Sequence, residues 1–350
     1  MKTEPTAPGR RPPEDAPPFN HGLALARILF CFLVVCCHAY RDGGVLDPVV
    51  LPLKKTAVPA FFSISCLLAA PAFEPGAGLR ALSRRIARLG APFLFWGLAF
   101  AVPFLAKELA YADSFAGGVR AGLGGIALQL LFGHAYDPPL WFLFDMILFT
   151  LALHALARLA PSKAGLAALV VLVAALAFIL CQTGENHRIW DRFPWEVRYP
   201  FGRLCECFPY AAAGLLLGLF GIHRRMERHR AAWLAVLALA LLLPSPPDPV
   251  HSFGNAGWSR LKDAAVLPCL FFLLPFGTAP GILKTAVSAV SRYTLGIYCI
   301  HYVPAILLLR ILDRHGIRPD PIWPPLVVFA ASWAACRLLA FFPRGRRFVS

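Results

Sequence analysis

The chain has 350 residues, of which 58% are hydrophobic and only 15% charged, with a mean hydropathy of +0.62. A soluble domain usually carries about a quarter charged residues, so this composition excludes an ordinary soluble enzyme and predicts an all-α integral membrane protein. The net charge of +15 does not indicate a nucleic-acid partner, because the basic residues are concentrated in loops between apolar segments.

Ten apolar segments are predicted to cross the membrane as a bundle of about ten helices. They are residues 22–40, 56–72, 90–106, 139–158, 164–181, 207–221, 231–243, 264–279, 285–311 and 322–342. If the amino-terminal tail is cytoplasmic, the inner loops hold a large excess of Lys and Arg, whereas basic and acidic residues balance in the outer loops. Because basic loops stay on the cytoplasmic side of a membrane, both termini are predicted to be cytoplasmic.

Three regions are expected along the chain. Residues 1–20 are rich in proline and are predicted to form a disordered cytoplasmic tail, not a cleaved secretory signal. Residues 21–343 are predicted to form the transmembrane domain, and residues 344–350 a short basic cytoplasmic tail. The location of the positive charge favours membrane lipids or an anionic cytoplasmic ligand as partners.

The first predicted helix contains an arginine, Arg27, and a histidine, His38, eleven residues apart. At 100° per residue, this spacing places both on one helix face, separated by about 16 Å along the axis. An arginine within a hydrocarbon span costs at least about 2.5 kcal/mol, so we expect Arg27 to face the protein interior or a watery cavity. The alternative is that Arg27 extends to the lipid headgroups and that His38 marks the end of the helix.

Small residues in the second and sixth predicted helices indicate close helix packing. Ser63 and Ser65 lie in the second helix, and Gly214, Gly218 and Gly221 lie in or at the end of the sixth. Such residues let two helix backbones approach each other within a membrane. The two serines are therefore expected to be packing groups and not nucleophiles.

The loop before the third predicted helix carries four arginines within nine residues: Arg80, Arg84, Arg85 and Arg88. As an ordinary basic anchor, this cluster would only set the orientation of the protein. Guanidinium groups also offer a planar fork to phosphate. Arg84, Arg85 and Arg88 are therefore candidates for binding a phosphorylated cytoplasmic donor.

Two polar candidates lie on the predicted outer side. Asp145 is about two turns into the fourth predicted helix, behind the interfacial Trp141, where an ionisable residue is a candidate functional group. Its predicted depth is similar to that of His38, so a histidine is one candidate partner for it. Arg203 belongs to the predicted outer loop 182–206, in which aromatic and charged residues alternate. This composition suits either a sugar ligand or a helix that lies on the lipid headgroups.

The ninth predicted helix carries a second polar stripe. Ser291, Tyr298 and His301 are spaced by seven and three residues, which places them on roughly one helix face. A second buried histidine favours a polar cavity, although alone it would be an ordinary helix-packing group. No metal site is predicted, because most of the ten cysteines lie within or at the edge of predicted spans and behave there as small apolar residues.

Together these segments resemble the membrane-bound acyltransferase 3 family. The likeness rests on the spacing of Arg27 and His38, on VPAFFSIS in the second predicted helix, on Arg85-Ile-Ala-Arg88, on PLWFL at 139–143 and on SRYTLGIYCIH at 291–301. It extends over nearly the whole chain. Cys66 departs from the family pattern, which typically has glycine there. The chain resembles the standalone form of the family, because no soluble hydrolase-like extension follows the last predicted helix.

The resemblance implies an enzyme that takes an acyl group, usually acetyl from acetyl-CoA, in the cytoplasm and passes it to a glycan or lipid-linked saccharide on the other face of the membrane. In this scheme His38 is the general base or a transient acyl carrier, and Arg27 orients the donor or stabilises developing negative charge. The arginines at 84, 85 and 88 bind the phosphates of acyl-CoA. No permanently bound cofactor is expected, and the implied location is the inner membrane of a bacterium.

Two other classes of function compete with this interpretation. A transporter or flippase for a lipid-linked glycan would also need a charged internal cavity, but such proteins often contain inverted repeats, and no two matching halves are visible in the sequence. A structural or sensory partner subunit would leave Arg27, His38 and Asp145 without an explanation. Acetyl, succinyl and longer acyl groups are all compatible with the sequence.

Overall fold

The computed structural model describes residues 20–40, 47–133, 140–186, 194–222, 280–317 and 322–349, together with a few positions between 192 and 235. Within these ranges all regular secondary structure is helical. The predicted spans 231–243 and 264–279 lie almost entirely outside the described residues, as does the amino-terminal tail.

The described helices follow one another in a simple order. They are α1 (His21–Ala39), α2 (Asp47–Ala69), a 3-10 turn (Ala70–Phe73), α3 (Leu79–Tyr111), α4 (Phe115–Phe132), α5 (Trp141–Leu159), α6 (Lys163–Asn186), α7 (Trp195–Leu219), α8 (Gly281–Ser291), α9 (Thr294–Ile300), α10 (Tyr302–Arg314), α11 (Trp323–Phe341) and α12 (Arg346–Val349). Seven of them contain a segment long and apolar enough to cross a membrane, or eight if the bent pair α9 and α10 counts as one span. The chain is therefore a multi-pass helical membrane protein, as predicted.

The structure adds one membrane-length helix, α4, in a segment predicted to be an outer loop. Glycine lowers helix propensity, and α4 is rich in glycine, which is why its apolar stretch escaped the prediction. These glycines let α4 pack against the end of α3: a Cβ at Gly122 would overlap the Leu105 side chain, and one at Gly125 would overlap the Phe104 ring. These contacts make α4 and the end of α3 an antiparallel hairpin. Gly133, at the end of α4, lies beside Trp141 at the start of α5.

The contact between α2 and α7 confirms the close packing expected at Gly214 and Gly218. A Cβ at Gly214 would overlap the backbone of Ser63, and one at Gly218 would overlap Ala70. The Ser63 hydroxyl donates a hydrogen bond to the Tyr210 carbonyl oxygen at 2.9 Å, which ties the two helices together. Gly221 lies past the end of α7 at a φ of +59°, so its role is to end the helix and not to pack.

The ninth predicted helix is broken into three segments, α8, α9 and α10. Helices α9 and α10 meet at His301 with a bend of 47°. Pro304 explains this bend, because its missing N–H cannot bond to the carbonyl of Ile300 four residues earlier and its ring crowds that turn. The predicted stripe of Ser291, Tyr298 and His301 along one continuous helix is therefore wrong, since Ser291 ends α8.

The residues predicted as a short basic tail fold back on the bundle as α12. The Phe348 ring stacks on Phe95 of α3, with 4.2 Å between ring centres, and the Trp96 indole N–H donates to the Phe348 carbonyl oxygen at 3.2 Å. Val349 is fully buried and packs so closely against Gly296 of α9 that a Cβ at Gly296 would overlap it. The carboxyl end of the described chain thus connects α3 with α9.

Candidate active site

A pocket of about 120 Å³ lies where α1, α2, α3, α5 and α9 meet. One part of its wall is cationic and consists of Arg27, Arg85 and Arg88. The residues that line it include no aspartate or glutamate. A site with three guanidinium groups and no carboxylate in its wall has a strong preference for an anionic ligand.

Arg27 lines this pocket, as expected from the cost of an arginine in a hydrocarbon span, and does not extend to the lipid headgroups. Its Nη2 donates a hydrogen bond to the Thr294 hydroxyl oxygen at 2.8 Å. Cys31, one turn further along α1, donates its thiol to the Thr294 carbonyl oxygen at 3.4 Å. These two contacts fasten the middle of α1 to the start of α9 and fix the direction of the Arg27 side chain.

Arg85 is held by two other helices. Its Nε donates to the Thr150 hydroxyl oxygen of α5 at 3.0 Å, and its Nη2 donates to the Ser65 hydroxyl oxygen of α2 at 3.3 Å. The guanidinium also lies 5.6 Å from the centre of the Phe73 ring. Because both polar partners are neutral hydroxyls, they orient the guanidinium without neutralising its charge.

The three predicted phosphate-binding arginines do not share one location. Arg88 is exposed and lines the pocket together with Arg85. Arg84 does not line it, and the Arg84 Nε donates instead to the carbonyl oxygen of Arg80 at 3.2 Å. Arg84 directly precedes Arg85 in α3, and neighbouring residues of a helix point in directions about 100° apart, so the two side chains diverge.

The opposite wall of the pocket is aromatic and consists of Phe61, Phe142 and Tyr298, here called the aromatic layer. Their ring centres are 5.2 to 6.1 Å apart, a spacing typical of favourable aromatic pairs. Tyr298 also lies 6.1 Å from the ring of His301. His301 and His38 do not line the pocket, and Tyr298 is a residue of the aromatic layer that contacts both the pocket and His301.

The two histidines lie beside each other outside the pocket wall. The ring centres of His38 and His301 are 5.2 Å apart, with a tilt of 50° between the ring planes. The Tyr302 ring approaches His38 edge-on at 5.5 Å. His301 is fully buried, whereas His38 is half-buried.

Asp145 pairs with Arg203 and not with a histidine, the candidate partner that its depth in the sequence suggested. Both carboxylate oxygens of Asp145 accept hydrogen bonds from Arg203, at 2.7 and 2.8 Å, and both residues are buried. The Arg203 guanidinium lies over the rings of Trp141 and Tyr199 at 4.8 and 5.4 Å and donates to the Phe132 carbonyl oxygen at 3.2 Å. This pair joins α5, α7 and the end of α4, away from the pocket wall.

A family of sequences described as an acyltransferase domain matches residues 20–341, nearly the whole chain. The chain belongs to the acyltransferase 3 family. No curated protein and no solved structure matches it. The match includes α1 to α11, and therefore the pocket, the aromatic layer and both histidines, whereas α12 lies beyond it.

Two further predicted site residues of this acyltransferase, Ser65 and Ser291, lie in different positions relative to the pocket. Ser65 lines the pocket and contacts Arg85, so it takes part in the site. Ser291 is buried outside the pocket wall, where its carbonyl oxygen accepts a hydrogen bond from the Thr294 hydroxyl at 3.0 Å. Ser291 therefore supports the residue that holds Arg27 and does not contact the pocket.

Sequence reasoning missed two threonines of the site, Thr150 and Thr294. Each supplies the hydroxyl that positions a pocket arginine, and each is fully buried or nearly so. A signal was present for Thr294, because it lies within the same family-like stretch as Tyr298 and His301. Thr150 gave no such signal, since a single hydroxyl in an apolar helix usually bonds only to its own backbone.

Proposed function

We propose that this acyltransferase takes an acyl group, acetyl in the simplest case, from acyl-CoA and transfers it across the membrane to a hydroxyl of a glycan or lipid-linked saccharide. The single observation that carries this proposal is the pocket with Arg27, Arg85 and Arg88 in its wall and no carboxylate among its lining residues. Acyl-CoA is an acyl donor that carries phosphates, which guanidinium groups bind well.

The exposure of the three arginines suggests how the donor lies in the pocket. Arg88 is exposed, while Arg85 and Arg27 are half-buried. The nucleotide phosphates of acyl-CoA would contact Arg88 and Arg85, which belong to the segment that the charge distribution assigns to the cytoplasm. The uncharged arm of the donor would then pass Arg27. Since Arg27 lies about three helical turns from His38, its role would be to hold the donor and not to contact the reacting carbonyl.

The aromatic layer would have to move for the acyl group to reach His38. The pocket volume of about 120 Å³ is below the roughly 300–1,000 Å³ of sites for drug-sized ligands, so donor binding would enlarge it. Tyr298 lines the pocket and also neighbours His301. Displacement of this ring would join the donor pocket to the two histidines.

The transfer step follows from the chemistry of an imidazole beside a thioester. His38 would take the proton of the acceptor hydroxyl while the acceptor oxygen attacks the thioester carbon. The carbon–sulfur bond then breaks, and the CoA thiolate takes the proton back from His38. A transient acyl-imidazole on His38 is the two-step form of the same reaction. We place the reaction in the inner membrane of a bacterium, with the acceptor on the outer face.

A donor comparison tests the proposal. Purified protein reconstituted in lipid would be given acetyl-CoA or acetyl-pantetheine, which carries the same thioester without the nucleotide phosphates, and release of free thiol would be measured. We expect consumption of acetyl-CoA and a much higher KM for acetyl-pantetheine. Equal use of both donors would remove the phosphate argument. No consumption of either donor, with or without a saccharide acceptor, would favour a transporter.

Replacement of His38 separates the transfer step from donor binding. The variant His38→Ala should lose acyl transfer while its affinity for acetyl-CoA stays unchanged, because His38 does not line the donor pocket. Both quantities can be measured on the same reconstituted sample. A fully active His38→Ala variant would contradict the mechanism.

A further inference from the structure

We propose that His301 is a positioning residue for His38, whose Nε2 accepts a hydrogen bond from the His38 imidazole and so determines which His38 nitrogen takes the proton of the acceptor. This inference rests on the proposed function, in which His38 is the base. It assigns to His301 a role beyond helix packing, and it follows from three observations on the histidine and its surroundings.

The first observation is the tautomer of His301. Its Nδ1 lies 2.7 Å from the carbonyl oxygen of Tyr298, and a carbonyl oxygen can only accept a hydrogen bond. Nδ1 therefore carries the hydrogen. In a neutral imidazole the other nitrogen, Nε2, then has a free lone pair and can only accept.

The second observation is that this lone pair is buried without a partner. Among the described residues nothing donates a hydrogen bond to His301 Nε2, and the nitrogen is not accessible to solvent. Buried polar atoms nearly always have a hydrogen-bond partner, and an exception calls for an explanation. A partner that engages only when the substrates are bound provides one.

The third observation is the neighbour of His301. The His38 ring centre lies 5.2 Å away at a tilt of 50°, so an imidazole that carries an N–H donor lies beside His301. His38 is half-buried and lies in the last turn of α1. A rotation of its ring about the side-chain bonds would bring one N–H towards His301 Nε2. Catalytic hydrogen bonds are often long or misaligned before substrate binds and shorten afterwards.

The helix break explains why His301 is held in this orientation. His301 joins α9 to α10 at the 47° bend, and its Nδ1–H bonds to the Tyr298 carbonyl three residues earlier. The Tyr302 ring, on the first residue of α10, lies edge-on against His38. The bend therefore fixes the ring of His301, and Tyr302 limits the positions that the His38 ring can take.

The proposed contact has a defined part in the reaction. When the acceptor oxygen attacks the thioester carbon, its O–H bond breaks and the proton moves to the His38 nitrogen that faces the acceptor. The other His38 N–H is donated to His301 Nε2, which stabilises the imidazolium without taking its proton. The carbon–sulfur bond breaks, and the leaving thiolate takes the proton from His38, so the pair returns to its starting state.

Two substitutions distinguish this role from a structural one. In His301→Asn the side-chain amide N–H can still donate to the Tyr298 carbonyl oxygen, but nothing replaces Nε2. In His301→Gln the longer amide can place its oxygen near the position of Nε2 and accept from His38. We expect His301→Asn to lower kcat by roughly 10- to 100-fold with unchanged acetyl-CoA affinity, and His301→Gln to retain clearly more activity. If His301 only supports the helix bend, His301→Asn should keep more activity than His301→Gln, because only the Asn variant keeps the hydrogen bond to Tyr298.

The pH profile supplies a second readout. His38 keeps its proton less readily without an acceptor on its other nitrogen, so the acid limb of kcat/KM should move to lower pH in His301→Asn and stay near the wild-type position in His301→Gln. If His301→Asn fails to fold, judged by its thermal unfolding, the activity of His301→Gln decides: an inactive but folded Gln variant overturns the inference. Full activity of His301→Asn also overturns it. An inactive wild type would instead overturn the proposed function.

Discussion

Arg85 and Arg203 are two buried or half-buried arginines that this acyltransferase holds between helices in different ways. Arg203 binds both oxygens of Asp145 and lies over two aromatic rings, so its charge is neutralised within the protein. Arg85 bonds only to the hydroxyls of Thr150 and Ser65, so its charge is oriented and still available. The partner of an arginine therefore distinguishes a charge that is neutralised within the bundle from one that is available to a ligand.

The largest expected effect comes from breaking the structural pair. The variant Asp145→Ala leaves the Arg203 charge buried without a counter-charge, which should lower the free energy of unfolding by about 3–5 kcal/mol. A lower unfolding midpoint of the purified protein in detergent would report this loss. The double variant Asp145→Ala with Arg203→Met removes both charges and should be markedly more stable than the single variant. An unchanged midpoint in Asp145→Ala would contradict a structural role.

A smaller effect, on binding instead of stability, is expected from Arg85. The variant Arg85→Gln removes a charged hydrogen-bond donor worth about 1.5–3 kcal/mol, so the affinity for acetyl-CoA should fall about 10- to 100-fold in equilibrium binding. Its matched control is Arg84→Gln, which removes the same charge from the neighbouring exposed position outside the pocket. Equal losses in the two variants would mean that the charge of the segment matters and not the pocket.

The smallest effect is expected from the hydroxyl that orients Arg85. The variant Thr150→Val removes one of its two side-chain partners, a neutral hydrogen bond worth about 0.5–1.5 kcal/mol, so the affinity for acetyl-CoA should fall only a few-fold. The variant Thr150→Ser keeps the hydroxyl and should bind like the wild type. A loss as large as that of Arg85→Gln would indicate that Thr150 contacts the donor itself.

Sequence reasoning succeeded where the chemistry depends on one helix. The cost of an arginine within a hydrocarbon span predicted that Arg27 faces the interior, and Arg27 lines the pocket. The bend at His301 had a signal as well, since Pro304 breaks a helix about one turn before it.

Sequence reasoning failed where a contact joins two segments that are distant along the chain. Asp145 and Arg203 are 58 residues apart, and Arg203 reaches Asp145 because α7 begins at Trp195, twelve residues before the predicted span. No local sequence pattern indicates which of several polar groups forms the ion pair with a buried carboxylate. The hairpin of α3 and α4 was missed because glycine lowers the helix propensity of α4, whose stability depends on packing against α3.

The docked end of the chain has a practical consequence for anyone who labels or immobilises this protein. A tag attached directly after α12 would begin beside the buried Val349, next to the Phe348–Phe95 stack. Strain on that attachment would be passed to Gly296 and along the same short helix to Tyr298 and His301. A purification handle upstream of α1 avoids this route to Tyr298 and His301.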